Sequence, residues 1–138
     1  MIKYKNKIFS KYITSHEVSE SIYNMAKLLN EQYKDKELHV IGVLNGSVPF
    51  MMDLLKLLDC PYSYDFMKIS SYQGMERKGI SLDLDINKDI INNKNILLVE
   101  DIVDSGNTIK YIKEHFKQFN IKSLSTLALF VRSKSKTQ

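Results

Sequence analysis

In the stretch Asn95–Thr108, Asn-Ile-Leu-Leu-Val-Glu-Asp-Ile-Val-Asp-Ser-Gly-Asn-Thr, Glu100, Asp101 and Asp104 fall within five residues and run straight into Ser105, Gly106, Asn107 and Thr108. Adjacent carboxylates hold sugar hydroxyls or a hard cation that prefers oxygen ligands. A further carboxylate a few residues on can take up a proton during a reaction. A glycine with hydroxyl side chains just ahead of a helix offers backbone N–H groups to a phosphate. A plain strand, turn and Asp or Ser cap needs only one such residue, so three carboxylates in this space point to chemistry rather than to capping.

The elements that must position these residues are legible on either side. Ile96, Leu97, Leu98 and Val99 form a continuous apolar run, as expected of a strand covered on both faces in a parallel sheet. Glu100 and Asp101 then sit at its carboxyl end, where ligands bind in open α/β sheets. Ile109, Ile112 and Phe116 recur at helical spacing and predict a helix over 107–118. Leu38 to Leu44 is a second strand, followed by Asn45-Gly46-Ser47 and a helix with Pro49 near its start and Met51, Leu54, Leu55 and Leu58 on one face. From local residues this turn reads equally well as an ordinary β–α connection and as a second phosphate loop.

Thr14-Ser15-His16-Glu17 has the form of a capping box ahead of a helix bearing Val18, Ile22, Met25 and Leu29. Tyr62 to Ser70 and Ile80 to Ile86 alternate and predict a hairpin, with a long, glycine-flanked loop, Ser71 to Gly79, between its strands. Ser123 to Val131 is a final apolar strand that runs into a basic tail, Arg132 to Gln138. Residues 1–13 form a weakly patterned arm. His16 and His39 lack metal-ligand spacing and are expected to be surface or structural residues.

With 138 residues and 43% hydrophobic composition, one domain spanning 1–138 is expected. The net charge of +4 is mild and is expected to be spread along the chain, which suits an anionic substrate but is weak evidence for nucleic acid, and no nucleic-acid partner is expected. Cys60 is the only cysteine, so neither an internal disulfide nor a cysteine-cluster metal site is available. No signal peptide or long apolar segment is apparent, which makes the cytoplasm the expected location and gives no membrane association.

Glu100-Asp101-x-x-Asp104-Ser105-Gly106-x-Thr108 resembles the donor-binding signature of the type I phosphoribosyltransferases. Val40 to Ser47 is similar to the pyrophosphate loop of the 6-oxopurine members, where the family has a cis peptide bond not preceding proline and usually a Lys or Arg at the position of Asn45. Asp65-Phe66-Met67-x-x-Ser70-Ser71-Tyr72 resembles the approach to the flexible catalytic loop of hypoxanthine-guanine phosphoribosyltransferases. Ala128 to Arg132 is similar to the strand that ends in a purine-contacting lysine. Arg132 stands at that lysine's position and keeps a basic donor, although planar and longer.

The resemblance implies an α/β fold, a central, mainly parallel twisted sheet flanked by helices. It implies purine salvage: phosphoribose passes from phosphoribosyl pyrophosphate to hypoxanthine or guanine, giving IMP or GMP and pyrophosphate. Asp104 is then the catalytic base, Glu100 and Asp101 bind the ribose hydroxyls and Mg²⁺, and Ser105, Gly106, Asn107 and Thr108 hold the 5′-phosphate. Asn45 and Gly46 meet the pyrophosphate, Ser71 and Tyr72 close over the site, and Arg132 meets the purine. The family forms homodimers or homotetramers. Its members continue past the Arg132 position into a hood that stacks on the base, and no such segment is in this sequence. A truncated, non-catalytic module that binds phosphoribosyl pyrophosphate is the alternative that this difference suggests.

Overall fold

A computed structural model describes residues 1–73 and 78–133, with Tyr72, Gln73 and Lys78 described in backbone only. Its centre is a five-stranded sheet in the order β5-β4-β3-β6-β7. The strands are β3 (Leu38–Leu44), β4 (Tyr62–Gln73), β5 (Lys78–Leu84), β6 (Asn95–Val103) and β7 (Ser123–Val131). β4, β3, β6 and β7 run parallel, and β5 joins the β4 edge antiparallel. The mainly parallel α/β sheet expected from the sequence is what forms.

Period-2 alternation assigns each buried strand residue to a face. Leu38, Val40, Leu97 and Val99 pack beneath α1 (Ser15–Gln32) and α2 (Val48–Leu55), meeting Ile22, Ala26, Leu29, Phe50 and Leu54. Ile41, Val43, Ile96 and Leu98 pack on the other face beneath α3 (Lys88–Ile91) and α4 (Asn107–Phe116), meeting Ile91, Ile112 and Phe116. Each such aliphatic or aromatic side chain contributes roughly 1.5–3 kcal/mol by leaving water, so the strand bases form a rigid platform. α1 starts as its sequence predicts: Thr14 Oγ1 accepts from the Glu17 N–H at 3.1 Å, and the Glu17 carboxylate accepts from the Thr14 N–H at 2.6 Å. Among the described residues no helix is long and apolar enough to cross a membrane.

Several expectations need correction. β6 does not stop at Val99 but continues through Val103, because β7 pairs with it as far as Val103↔Val131 while β3 leaves it at Gly42↔Val99. Three elements stop early: α4 ends at Phe116 rather than 118, β5 at Leu84 rather than Ile86, and α2 at Leu55, which leaves Leu58 beyond the helix. The hairpin strands extend well into the expected loop: Ser71, Tyr72 and Gln73 pair with Ile80, Gly79 and Lys78, so Ser71 and Tyr72 are strand residues. Only Gly74–Arg77 remains between the strands, and it lies outside the described residues, as does the tail beyond Ser133. Finally, residues 1–13 contain a small antiparallel ribbon, β1 (Ile2–Tyr4) and β2 (Lys7–Phe9), turned by Lys5 and Asn6 at φ 44° and 60°. Two successive left-handed residues make the tight turn that suits strand twist.

Candidate active site at the carboxyl ends of the strands

The acidic stretch sits where β6 outlasts β3. Glu100 continues the Ile96–Leu98 face and Asp101 the Leu97–Val99 face, so the two carboxylates leave the strand on opposite sides. Glu100 is 8% exposed. Burial first, and the neighbouring Asp101 charge second, push its carboxyl up to about 7. Asp101 turns toward the tip of β3 and lies directly against Gly46: a Cβ on Gly46 would fall on the Asp101 carboxylate, with the carboxyl carbon at 2.8 Å. A glycine is therefore required there for close approach.

The β3–α2 turn is fixed from within. The Leu44–Asn45 peptide bond is cis, as the resemblance implied. Fully buried Ser47 donates from its Oγ to the Val43 carbonyl at 2.6 Å, and its own carbonyl accepts from the Met51 N–H at 2.8 Å. Asn45 and Gly46 are left exposed at the top of the turn.

On the other side of β6, Asp104 to Thr108 leads into α4. Gly106 caps the helix with φ 81°, and the space where its Cβ would stand is open. Ser105 Oγ accepts from the Asn107 N–H at 3.3 Å, and the Gly106 carbonyl accepts from the Lys110 N–H at 3.0 Å. The first N–H groups of any helix have no partner within it, so this turn offers donors that suit an anion. Glu100, Val103, Asp104, Ser105, Gly106 and Thr108 line a cleft of about 110 Å³ here. A larger groove of about 260 Å³, between Tyr23, Lys27 and Asp59, has no comparable gathering of carboxylates and helix-start amides.

Arg132 closes this side. Its backbone N–H donates to the Val103 carbonyl at 2.9 Å, and Nη1 donates to Asp104 Oδ1 at 3.0 Å. The fold thus brings together Glu100, Asp101, Asp104, Ser105, Gly106, Asn107, Thr108 and Arg132 with Asn45 and Gly46 on the adjacent strand tip. Ser71 is exposed on β4, and the Tyr72 side chain is outside what is described.

His16 is on the surface of α1, while His39 is buried, hydrogen-bonded through Nδ1 to Ser63 Oγ at 2.7 Å and held below its ordinary pKa by burial. Both are away from the site, as expected of structural residues. Sequence reasoning missed Ser47, whose buried bond to Val43 shapes the turn; a serine directly after Asn-Gly was the available signal.

Among the described residues no three carboxylate, histidine or cysteine side chains gather around one point. Mg²⁺ seldom needs such a cage: it keeps water and is held by one or two carboxylates plus substrate phosphates, a demand that Glu100 or Asp101 could meet singly, each from its own side of β6.

A family model described as the phosphoribosyl transferase domain matches residues 11–138. The hypoxanthine-guanine phosphoribosyltransferase of Lactococcus lactis is 36% identical over 119 residues, 83% of this chain and 64% of that protein. The enzyme of the same name from Staphylococcus epidermidis is 37% identical over 121 residues, 85% of this chain and 66% of its own length. The chain therefore spans just under two thirds of these relatives. Among solved structures, a hypoxanthine phosphoribosyltransferase from Staphylococcus aureus superposes with a TM-score of 0.78 at 31% identity, covering 91% of this chain and 68% of that one. A hypoxanthine-guanine phosphoribosyltransferase from Bacillus anthracis gives 0.79 at 29%, covering 95% and 76%.

Proposed function

The chain belongs to the phosphoribosyltransferase family, and from that premise we propose that it transfers phosphoribose from phosphoribosyl pyrophosphate to hypoxanthine or guanine, forming IMP or GMP in cytoplasmic purine salvage. The observation that supports this reading is the ion pair in which Arg132 Nη1 donates to Asp104 Oδ1 at 3.0 Å, because it stands the side chain taken to meet the purine's exocyclic oxygen beside the carboxylate taken to accept the ring proton.

The residues divide the work as follows. The N–H groups and hydroxyls of Ser105 to Thr108 hold the 5′-phosphate at the start of α4. Glu100 and Asp101 orient the ribose hydroxyls, and Asp101, lying against Gly46, keeps the ribose end of the donor beside the pyrophosphate turn. Asn45 and Gly46 receive the pyrophosphate through polar groups alone, since no cation stands at Asn45. When bound, Mg²⁺ neutralises the charge that develops on the departing pyrophosphate. Arg132 fixes the purine by its oxygen. Asp104 accepts the imidazole proton as the ring nitrogen bonds to C1′ and the C1′–oxygen bond breaks, with its electron pair leaving on pyrophosphate. In this reading Ser71 and Tyr72, near the end of β4, serve to exclude water from the activated sugar. Assembly as a homodimer or homotetramer goes with this reading.

The test is formation of IMP from hypoxanthine, the donor and Mg²⁺, alongside calorimetric binding of the donor. Asp104→Asn should lower turnover by ~10²- to 10⁴-fold, the usual share of a positioned acid or base, while donor affinity stays nearly constant. Equal losses in turnover and donor binding would remove Asp104 from the role of base. Donor binding with no turnover in the unmodified chain would overturn the proposed reaction.

A further inference from the structure

The β1–β2 ribbon takes no part in the chemistry above, and both strands precede residue 11, where the match to the family model begins, while the Bacillus anthracis structure, covering 95% of the chain, reaches into the ribbon. The charge is not spread as expected. Lys3, Lys5, Lys7 and Lys11 stand in the first thirteen residues without a single Asp or Glu, and setting them aside leaves sixteen basic and sixteen acidic residues. The entire formal charge of +4 is therefore carried by this arm.

Aromatic side chains are interleaved with the lysines. Tyr4 is 62% exposed, Phe9 50% and Tyr12 93%, and Lys5 Nζ stands 5.4 Å from the centre of the Tyr4 ring. Every residue of both strands is exposed, and a two-stranded ribbon this short is marginal in water by itself.

The mixture of side chains selects the partner. The register sets Ile2, Tyr4, Lys7 and Phe9 on one face and Lys3 and Ile8 on the other, so each face carries both cationic and apolar groups. An element built to lie on a lipid surface separates the two. A second copy of the chain is a poor match, because its body is neutral overall and its arm repels this one. A strand of nucleic acid presents phosphates and flat π-faces in alternation, which is what lysines interleaved with exposed aromatics accommodate.

We propose that the β1–β2 ribbon, with Lys11 and Tyr12, is a binding surface for single-stranded nucleic acid, its lysines on phosphates and Tyr4, Phe9 and Tyr12 stacked on bases. The probe is an end-labelled oligouridylate of roughly twelve nucleotides, within the usual span of such sites, followed by fluorescence anisotropy on the full chain. Neutralising four phosphates gives a salt slope of about −2.8, so affinity should fall about fiftyfold between about 50 and 200 mM salt. Changing Lys3, Lys5, Lys7 and Lys11 together to Gln should abolish binding. Tyr4→Ala combined with Tyr12→Ala should weaken it roughly tenfold or more per ring with the salt slope unchanged. None of these residues belongs to either core cluster, so the variants retain the body of the fold. Absence of binding at low salt overturns the proposal, as does equal affinity for polyacrylate, which has charge without bases. Binding to phosphatidylserine vesicles with none to the oligonucleotide would overturn it in favour of a membrane surface.

Discussion

Glu100→Gln should make the protein more stable and less able to bind its donor, with the gain in stability developing as pH rises from about 4.5 and complete above about 7. The buried Glu100 carboxyl is pushed from its ordinary 4.5 up to about 7. The unfolded chain releases this proton near the ordinary value, while the folded chain keeps it until about 7. Below the ordinary value both states hold it and nothing is lost. Stability then falls as pH rises through the window between the two values, and above about 7 the native state bears the full cost of a buried charge. At about 1.36 kcal/mol per unit, that cost is about 3 kcal/mol. Gln keeps the shape and never ionises. Urea unfolding of both proteins, with a chelator present, should give near-equal stabilities at about pH 4.5 and a variant advantage approaching about 3 kcal/mol at about pH 8. In thermal scans this corresponds to on the order of 10 °C. Combining Glu100→Gln with Asp101→Asn should weaken Mg²⁺-dependent donor binding in the same preparations. Stability curves that stay parallel across this pH range would refute the reasoning, because they would mean that the carboxylate pays no burial cost in the fold.

Gly46→Ala places a methyl group on the Asp101 carboxylate; donor affinity measured by calorimetry should drop at least tenfold, and adding Asp101→Ala should show strong coupling between the two changes rather than additive losses. Gly106→Ala forces a side chain into the left-handed region and should cost ~1–2 kcal/mol in urea unfolding, although the space around it is open. Thr14→Ala removes the capping box of α1 and should cost about 1 kcal/mol in the same measurement, with donor affinity unaffected.

What could be read ahead of the structure follows from how local each signal is. β3 and β7 match their expected bounds because an apolar run between polar turns needs no distant partner to be recognised. The capping box of α1 is likewise contained in four residues. The reach of β6 to Val103 and of β4 to Gln73 is decided by a neighbouring strand, which no window of the sequence contains. α3, four residues long, is too short to show a period. The β1–β2 turn uses Lys5-Asn6 rather than the Asn-Gly or Asp-Gly pair that announces such turns. Within the site, residue types and their order were legible, and so was the acidic loop. The ion pair of Asp104 with Arg132, the contact of Asp101 with Gly46 and the burial of Glu100 were not, since each joins segments or depths that only folding defines.

Beyond Val99, β6 keeps a neighbour on one side only, because β3 has already turned away into Asn45 and Gly46. The peptide groups of Glu100 to Val103 on that side form a short sheet edge next to the turn that carries Asn45 and Gly46, since β3 no longer pairs with them. Backbone donors and acceptors of this kind are common to all amino acids, so side-chain substitution cannot delete them. Whatever part of ligand recognition uses this edge is invisible to alanine scanning, and variants stripped of their carboxylates would still retain the imprint of the strand itself.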